Sequence, residues 1–545
     1  MNNRQGAILH ILGVDMKKIL SIVLALITVV AVFASCDKKE TEKANKNEGG
    51  KPSASEPSIV MWTEHSYDKL RTEMKAPSEP QTEYTVSLAK NESEAVNIGL
   101  RSDSDTALLN FKILSGENEH IKVNVFHVME ILKLKRKQWT DPAAPLGPGK
   151  RFKLEKDKTM AVLADFTTTA DTPAGDYVYE LGITDRSGKV LNKVTITVHV
   201  WNFAMPEGHK FESAVGSNGN VEHYEMLLEH NLSAYDLPYD ILDPQADAYM
   251  SDPRVTSFRI PFYNGDTDYE EKLKAIYEKL KTNEVWFNKA YFYPIDEPST
   301  MEHLADFEKL CKELRELCPG IKITSPYYKN LQITDDLDQI DFMDKYIDLH
   351  CPKLANWDED QIYDANQMAK YPTFDERMKA LQNKGETVWA YVCNYPLAPY
   401  LNVKVDDEGI VSRVLFWQFY QRDIDGFLYW HSSYYAMLGN GGNPWDSVDT
   451  FNDGIYGDGI LIYTGTGAGL SKLTPVGSIR LKIIRDGIDD IELLYMAEEA
   501  FGREWVDERV NKVSKSLTSV DISSDAFAAL RIEIAEALEA KLNEK

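Results

Sequence analysis

The chain has few basic residues relative to acidic ones, and few cysteines. Its 545 residues include 60 Lys and Arg against 86 Asp and Glu, a formal net charge of −26 at pH 7. Such a surface repels phosphate backbones, so we expect no nucleic-acid partner. The five cysteines form no C-x-x-C motif and no Cys/His cluster with metal-ligand spacing, so we expect no metal site and no cofactor. A hydrophobic fraction of 43% excludes a mainly disordered chain.

Long apolar runs are absent except near the amino terminus. Lys17 and Lys18 precede the apolar run Ile19–Phe33, which is followed by small residues and Cys36. A basic start, a short apolar core and small residues before a cysteine resemble a bacterial lipoprotein signal. We therefore predict a signal peptide over residues 1–35, lipidation of Cys36, and a flexible linker over residues 36–56. A plain secretory signal and an uncleaved anchor are the alternatives.

The lipoprotein interpretation predicts a location in the cell envelope, in the periplasm or on the outer-membrane surface. The lipid anchor would be the protein's only membrane contact. No later apolar run reaches the roughly 20 residues that are needed to span a bilayer.

Residues 57–205 show the period-two alternation of β-strands. Runs such as Ala95–Leu100 and Val194–Val200 alternate between apolar and polar or small side chains, and helical periodicity is nearly absent. The turn residues Asp185–Gly188 separate two such runs. This pattern predicts a β-sandwich domain.

Residues 206–500 combine strand-like runs with amphipathic helices, which indicates βα units. Helices are predicted between the strands, for example over Met301–Leu317 and Asp358–Asn383, and a helical segment over 501–545 closes the chain. The fold class is therefore an N-terminal β-sandwich followed by a (β/α)8 TIM-like barrel with C-terminal helices. The eight predicted barrel strands are Phe211–Gly216, Leu232–Leu237, Ser257–Phe262, Ala290–Ile295, Ile321–Ser325, Tyr346–His350, Thr387–Cys393 and Gly426–Trp430.

Two adjacent acids follow the fourth predicted strand. Asp296 and Glu297 come after an aromatic strand and immediately before Pro298. Active sites of such barrels lie at the C-terminal ends of the strands, which distinguishes this pair from the other Asp-Glu dipeptides of the chain. Helix capping and solvated surface charge are the alternative explanations.

The pair has the chemistry that glycoside cleavage needs. An acid must protonate the leaving oxygen, and another group must attack or stabilise the anomeric carbon. Many retaining barrel glycosidases place a nucleophilic carboxylate after the seventh strand. Here that predicted strand carries no acid at its C-terminal end, and Glu386 lies at its other end, so the expected protein nucleophile is missing. The sugar's own 2-acetamido oxygen can attack instead, assisted by one carboxylate, while a neighbouring acid of raised pKa protonates the leaving oxygen. Asp296 and Glu297 fit these two tasks.

Side chains near the other strand ends are candidates for the sugar-binding surface. The apolar face of a pyranose stacks on an aromatic ring, and its hydroxyls need polar partners. Core packing or loop structure is the alternative for each candidate. The candidates are Tyr293, Tyr328, Trp357, Trp389, Tyr391, Asn394, Trp430 and His431.

Three acids in a later helical stretch, Asp486, Asp489 and Asp490, could suggest a metal loop. They lack the ligand spacing of a calcium loop. We therefore expect them to lie on a helix surface or in local salt bridges.

The segment Tyr293–Pro298, with the pattern Tyr-x-x-Asp-Glu-Pro, resembles the catalytic motif of glycoside hydrolase family 123, the β-N-acetylgalactosaminidases. Later blocks resemble other parts of the same catalytic domain, and an earlier block resembles the β-sandwich that precedes it. Together the likeness covers most of residues 57–500. The supporting blocks are Ala89–Ala95, Asp425–Trp430, Gly457–Tyr463 and Ser478–Asp490.

The resemblance implies an exo-acting, retaining hydrolase that releases terminal β-linked N-acetylgalactosamine through an oxazoline intermediate. By the motif, Asp296 would stabilise the acetamido group and Glu297 would be the acid/base. The expected partner is a glycan or glycolipid substrate of the glycosphingolipid type. A barrel glycosidase of another sugar specificity and a non-catalytic surface glycan-binding lipoprotein are the alternatives, although a binding protein has no need of both acids.

Overall fold

The computed structural model describes residues 57–134, 136–147, 149–262, 265, 267–438 and 442–544. The predicted signal peptide, the predicted lipidation site Cys36 and the predicted linker lie outside these residues. Among the helices of the described residues, none is both long and apolar enough to cross a bilayer.

The amino-terminal part forms two five-stranded sheets, ordered β1-β3-β8-β5-β6 and β2-β10-β9-β4-β7. In β10, Val194, Ile196 and Val198 are buried while the residues between them are half-buried, because successive side chains of a strand face opposite sides. The predicted β-sandwich is confirmed. Its strands are β1 Ile59–His65, β2 Glu83–Lys90, β3 Ser93–Ser102, β4 Leu109–Ser115, β5 Lys122–Leu134, β6 Lys137–Pro145, β7 Arg151–Phe152, β8 Thr159–Thr167, β9 Gly175–Thr184 and β10 Val190–Ala204.

The following part is a barrel of parallel strands in the order β11-β19-β18-β17-β14-β13-β12. Two short antiparallel hairpins, β15 with β16 and β20 with β21, lie outside the barrel sheet. The barrel strands are β11 Glu212–Val215, β12 Phe258–Arg259, β13 Ala290–Phe292, β14 Lys322–Tyr327, β17 Leu349–Pro352, β18 Thr387–Val392 and β19 Gly426–Tyr429, and the hairpin strands are β15 Gln332–Thr334, β16 Leu337–Asp338, β20 Ile462–Thr464 and β21 Pro475–Gly477.

The second predicted barrel strand closes the ring with only a few backbone contacts. Val215 forms an isolated parallel bridge with Ala234, and the backbone N–H of Arg259 donates to the carbonyl of Tyr235 at 2.6 Å. Residues 233–235 therefore lie between β11 and β12. The predicted (β/α)8 barrel is confirmed, with its second strand reduced to a bridge.

Helices surround the barrel and complete the carboxyl terminus. The predicted helix over Met301–Leu317 is present, whereas the one predicted over Asp358–Asn383 is divided. Its second half starts at a capping box formed by Thr373 and Glu376, directly after Pro372. The helices are α1 Val221–Leu228, α2 Ala246–Ser251, α3 Tyr269–Leu280, α4 Glu284–Lys289, α5 Met301–Leu317, α6 Gln339–Met343, α7 Ala365–Lys370, α8 Phe374–Gln382, α9 Gly409–Gln421, α10 Ile479–Phe501, α11 Arg503–Val513 and α12 Ser524–Asn543.

The barrel interior is filled by side chains of alternate strand positions. Tyr291 packs edge-on against Trp389, with ring centroids 5.5 Å apart. This filling makes the barrel a packed core and leaves its two ends as the places where a site can form. The interior cluster consists of Ala214, Tyr235, Tyr291, Leu349, Cys351, Trp389, Tyr391 and Leu428.

A buried ionic network joins the sandwich to the helices of the barrel. The guanidinium of Arg413 in α9 donates to both oxygens of Glu94 at 3.0 Å and to both oxygens of Asp490 at 2.8 and 2.9 Å. Arg531 of α12 also donates to Asp490, at 2.7 Å. Burial alone would raise the pKa of Asp490, but the two guanidiniums hold it below its usual value.

The acids Asp486, Asp489 and Asp490 take part in this buried region. Each is at most 3% exposed, so the expectation of a helix surface is wrong. The expectation of local salt bridges is confirmed for Asp486, which accepts from its neighbour Arg485 at 2.7 Å, whereas Asp490 pairs with Arg413 and Arg531 of other helices. The burial follows from these contacts with other elements and from Asn231, which donates to Asp489, and local spacing gave no sign of them.

We expect Arg413→Leu to lower the free energy of unfolding by about 3–5 kcal/mol, because Glu94 would stay buried without its counter-ion. The matched control is Lys312→Ala, which removes an exposed i,i+4 pair with Glu308 and should change stability by less than about 1 kcal/mol. Urea denaturation of both variants measures the difference. If both variants lost the same free energy of unfolding, the buried network would contribute little to the stability of the contact between sandwich and barrel.

Candidate active site

The acidic pair lies just beyond the carboxyl end of β13, where the chain leaves the sheet. In a continued strand Asp296 and Glu297 would face opposite sides. Instead Glu297 has a φ of +44°, a left-handed conformation that is unfavourable for a residue with a side chain and is commonly found at functional sites. The resulting bend places both carboxylates at the same end of the barrel, each against a tyrosine.

Each carboxylate has its own tyrosine partner. The hydroxyl of Tyr293 donates to Asp296 Oδ1 at 2.6 Å. The hydroxyl of Tyr391, an interior residue of β18, donates to Glu297 Oε1. Glu297 therefore reaches from β13 to β18 across the barrel mouth, and both acids are fixed by groups that donate a proton in a hydrogen bond.

The two acids have different environments. Asp296 is exposed, whereas Glu297 is half-buried. Burial raises the pKa of Glu297 above its ordinary value and the charge of Asp296 adds to this rise, against the opposing effects of the Tyr391 hydrogen bond and Lys353. A half-buried acid with a raised pKa next to an exposed acid is chemically suited to acid/base catalysis with an electrostatic partner.

The end of β18 provides no nucleophile. Cys393 stands there, and burial raises the pKa of its thiol to about 12. A thiol of such high pKa is not a thiolate near neutral pH and is therefore unreactive. The residues that directly follow β18 are Cys393, Asn394 and Tyr395, so no carboxylate comes next in the chain.

Several predicted sugar contacts lie at the barrel mouth. Tyr293 and Tyr391 bond the acidic pair, as described above. The Tyr328 ring lies beneath the ammonium of Lys353, 5.4 Å from its centroid, and Lys353 pairs with Tyr391 in a backbone bridge. Asn394 accepts from the Cys393 thiol at 3.2 Å.

Trp430 and His431 directly follow β19 and belong to an aromatic cluster. The Trp430 ring lies 5.0 Å from Tyr434 and 5.6 Å from Phe451, and His431 lies 5.3 Å from Tyr434. Trp430 and His431 are both half-buried, so this cluster presents an aromatic surface beside the mouth.

Two other predicted sugar contacts pack against protein side chains. Trp389 is fully buried, and its indole N–H donates at 2.8 Å to Glu212, the first residue of β11. Contrary to our expectation, it fills the amino-terminal half of the barrel. Trp357 packs edge-on against Phe374 of α8, with ring centroids 5.1 Å apart, and supports that helix.

Sequence reasoning missed Asp458, which orients Trp430. Asp458 is 2% exposed and accepts from the Trp430 indole at 2.8 Å. Burial raises its pKa to about 6. The next residue, Gly459, has a φ of +72°, and a Cβ there would lie 2.4 Å from the Trp430 ring, so only glycine fits. Asp458 lies in the Gly457–Tyr463 block that resembles the family, but the sequence does not show that it contacts Trp430.

Lys353 was also missed, because nothing near it in the sequence marks a site. It is half-buried beyond β17. Burial lowers the pKa of its ammonium, and Cys393 and Glu297 oppose this change. Its positive charge therefore lies at the mouth, close enough to affect Glu297.

Comparison with known proteins identifies the family of the chain. Residues 211–497 match the family described as glycoside hydrolase 123, catalytic domain. A solved family 123 glycoside hydrolase from Clostridium perfringens, studied for glycolipid glycan hydrolysis, superposes with a TM-score of 0.61 at 14% identity, covering 89% of this chain and 98% of that chain. No curated protein sequence matches the chain.

Other solved structures are more distant. A β-glucuronidase from Bacteroides uniformis has a TM-score of 0.26 at 11% identity, covering 76% of this chain and 49% of its own. A β-galacturonidase from Eisenbergiella tayi has a TM-score of 0.29 at 9% identity, covering 73% and 69%.

The superposition on the Clostridium perfringens enzyme shows the same fold, in which a β-sandwich precedes an α/β barrel. The family match begins at the residue before β11 and ends within α10, so it includes every strand of the barrel and the acidic pair. Since this match covers more than half of the sequence, the chain belongs to glycoside hydrolase family 123.

Proposed function

We propose that the protein is an exo-acting, retaining hydrolase that releases terminal β-linked N-acetylgalactosamine from glycans by substrate-assisted catalysis. The observation that carries the proposal is the adjacent pair Asp296 and Glu297, each bonded to its own tyrosine at the barrel mouth. The lack of a carboxylate at the end of β18 supports it, because attack by the substrate's own acetamido group needs no nucleophile at that position.

In the first step, Glu297 gives its proton to the glycosidic oxygen as the bond to the anomeric carbon breaks. The carbonyl oxygen of the 2-acetamido group attacks the same carbon from the opposite face and forms an oxazolinium ion. The Asp296 carboxylate accepts a hydrogen bond from the acetamido N–H and stabilises the positive charge that develops on the oxazolinium ion. In the second step, the Glu297 carboxylate takes a proton from water as the water oxygen bonds to the anomeric carbon. The bond from that carbon to the acetamido oxygen breaks, which opens the oxazolinium ring and releases the sugar with net retention.

The tyrosines suit these roles. The raised pKa of Glu297 keeps a proton available, and the Tyr391 hydroxyl stabilises the carboxylate that remains after transfer. Tyr293 holds Asp296 through Oδ1, so Oδ2 would accept the acetamido N–H. Hydrogen-bonding groups stabilise the transition state most when they are already held in position before the substrate binds.

We also propose a glycosphingolipid-type glycan as the natural substrate, since the Clostridium perfringens relative was studied for glycolipid glycan hydrolysis. The sequence near Cys36 supports a lipid-anchored protein of the cell envelope. An anchored enzyme would meet its substrate outside the cytoplasm.

A chromogenic substrate panel tests the sugar specificity. We expect turnover of the 4-nitrophenyl β-glycoside of N-acetylgalactosamine, and none of the galactoside, because galactose has no acetamido group to attack. A thiazoline mimic of the oxazoline should inhibit competitively. Comparable rates on the galactoside would refute substrate assistance, and no turnover of any sugar would favour a glycan-binding protein.

Glu297→Gln should reduce kcat on a natural glycan by about 10²–10⁴-fold, because it removes the acid without changing the side-chain shape. The loss should be much smaller on a 2,4-dinitrophenyl glycoside, whose leaving group needs no proton. The raised Glu297 pKa also predicts that wild-type activity falls as the pH rises through it, and that the variant lacks this limb.

Steady-state kinetics across leaving groups and pH measure both effects. The exposed Glu302→Gln, in the first turn of α5, serves as the control and should behave as wild type. The same loss on activated and natural leaving groups would argue that Glu297 is not the acid.

Asp296→Asn should reduce kcat by about 100-fold or more on every leaving group, because the oxazolinium charge loses its stabilising carboxylate. Tyr293→Phe removes only the hydroxyl that positions Asp296 and should cause a smaller loss of the same kind. Initial rates of both variants on the 4-nitrophenyl and 2,4-dinitrophenyl glycosides measure whether the loss of kcat is independent of the leaving group. An Asp296→Asn enzyme with wild-type rates would remove this residue from the mechanism.

A further inference from the structure

A second cluster of ligand-type side chains lies at the opposite end of the barrel from the acidic pair. Asp344 caps the C-terminus of α6, His350 lies in β17, and Glu386 directly precedes β18. One oxygen or nitrogen from each lies within 4.8 Å of the others. Among the described residues, no other trio of His, Cys, Asp or Glu side chains converges in this way.

The three facing atoms are buried and lack hydrogen bonds. The His350 side chain is fully buried, and its Nε2 lies 3.1 Å from Glu386 Oε2 and 3.7 Å from Asp344 Oδ1. Neither contact has the alignment of a hydrogen bond, and all three atoms are without another partner. Buried polar atoms without a partner call for an explanation, and an ion or ligand would account for three of them that converge on one point.

The other side of the imidazole explains why Nε2 can be a ligand. His350 Nδ1 lies 3.2 Å from the Tyr327 hydroxyl, which itself is 3.9 Å from the Met378 sulfur. When Nδ1–H donates to the tyrosine oxygen, Nε2 carries a lone pair. Three acceptor atoms then face one another with no proton between them, an arrangement that a cation stabilises.

The separations fit a small divalent ion. Ligand atoms about 2.1 Å from a common ion, at tetrahedral or slightly smaller angles, lie roughly 3–3.5 Å apart. The observed 3.1 Å falls within this range, and 3.7 Å requires only a small adjustment. Lys384 bonds the outer oxygen of Asp344 at 3.0 Å, so Tyr327 and Lys384 orient two of the ligands from outside, as outer partners do in metal sites.

We propose that Asp344, His350 and Glu386 bind a divalent transition-metal ion such as Zn²⁺, with water completing the coordination. One imidazole and two carboxylates are a donor set suited to zinc or manganese. The ion joins α6, β17 and β18 at the end of the barrel remote from Asp296 and Glu297. Its role is therefore to stabilise the barrel, and no step of hydrolysis depends on it.

The competing explanation is a proton. A positively charged His350 between the two carboxylates would satisfy the same geometry without a metal. The two possibilities differ in metal content and in the response of thermal stability to metal ions, so neither test depends on glycosidase activity or on the function proposed above.

The experiment uses the full chain without a histidine tag, stripped with EDTA and dialysed. We expect about one equivalent of Zn²⁺ to rebind, measured by mass spectrometry of the metal. At a concentration 100-fold above its Kd, zinc should raise the Tm by about 2–5 °C. His350→Gln and Glu386→Gln should lose both effects.

Asp341→Asn is the matched control, because Asp341 lies in the same helix α6 but bonds Arg377 instead; it should keep both effects. Anomalous diffraction at the zinc edge of wild-type crystals gives a second reading that needs no variant. Metal below 0.1 equivalent with a Tm unaffected by Zn²⁺ and Mn²⁺ would overturn the proposal, as would zinc binding that persists in His350→Gln.

Discussion

Two carboxyl groups on consecutive residues repel each other when both are ionised. At the barrel mouth this repulsion between Asp296 and Glu297 adds to the effect of burial and raises the pKa of Glu297. The left-handed bend at Glu297 puts the two groups at the same end of the barrel. Unequal burial then separates their tasks, because Glu297 is half-buried and Asp296 is exposed. A tyrosine donor for each acid fixes the division before any sugar binds. In the proposed mechanism, this pair supplies both the acid and the stabilising carboxylate that cleavage of the glycosidic bond needs.

The rest of the molecule holds that mouth in place. Tyr391 and Trp430 stand at the ends of β18 and β19, and α9 and α10 follow those strands along the chain. The buried network centred on Arg413 ties these two helices to the sandwich. A surface ion pair contributes little, whereas a broken buried pair is costly. The sandwich therefore serves as a rigid support for the side of the barrel from which Tyr391 reaches Glu297.

Sequence patterns predicted the alternation of strands and helices and the place of the acidic pair, because both follow from local periodicity and from the rule that barrel sites lie at strand ends. The period-two pattern shows which face of a strand a side chain lies on, but not whether it lies inside the barrel or at its mouth. Trp389 and Tyr391 share the interior face about 7 Å apart along β18, yet only Tyr391 reaches the mouth. The partners of Asp458 and Asp490 are distant in sequence, so their burial followed only from tertiary contacts. The same limit hid the convergence of Asp344, His350 and Glu386.

The central claim is that the attacking atom belongs to the sugar. A series of 4-nitrophenyl β-glycosides of galactosamine, with N-acetyl groups carrying zero to three fluorine atoms, tests it most directly. Fluorine withdraws electrons from the acetamido oxygen and weakens its attack without changing the leaving group. We predict that kcat/KM falls steeply with each added fluorine, by several orders of magnitude over the series. A nearly constant kcat/KM would contradict the claim and require a nucleophile from the protein or from water.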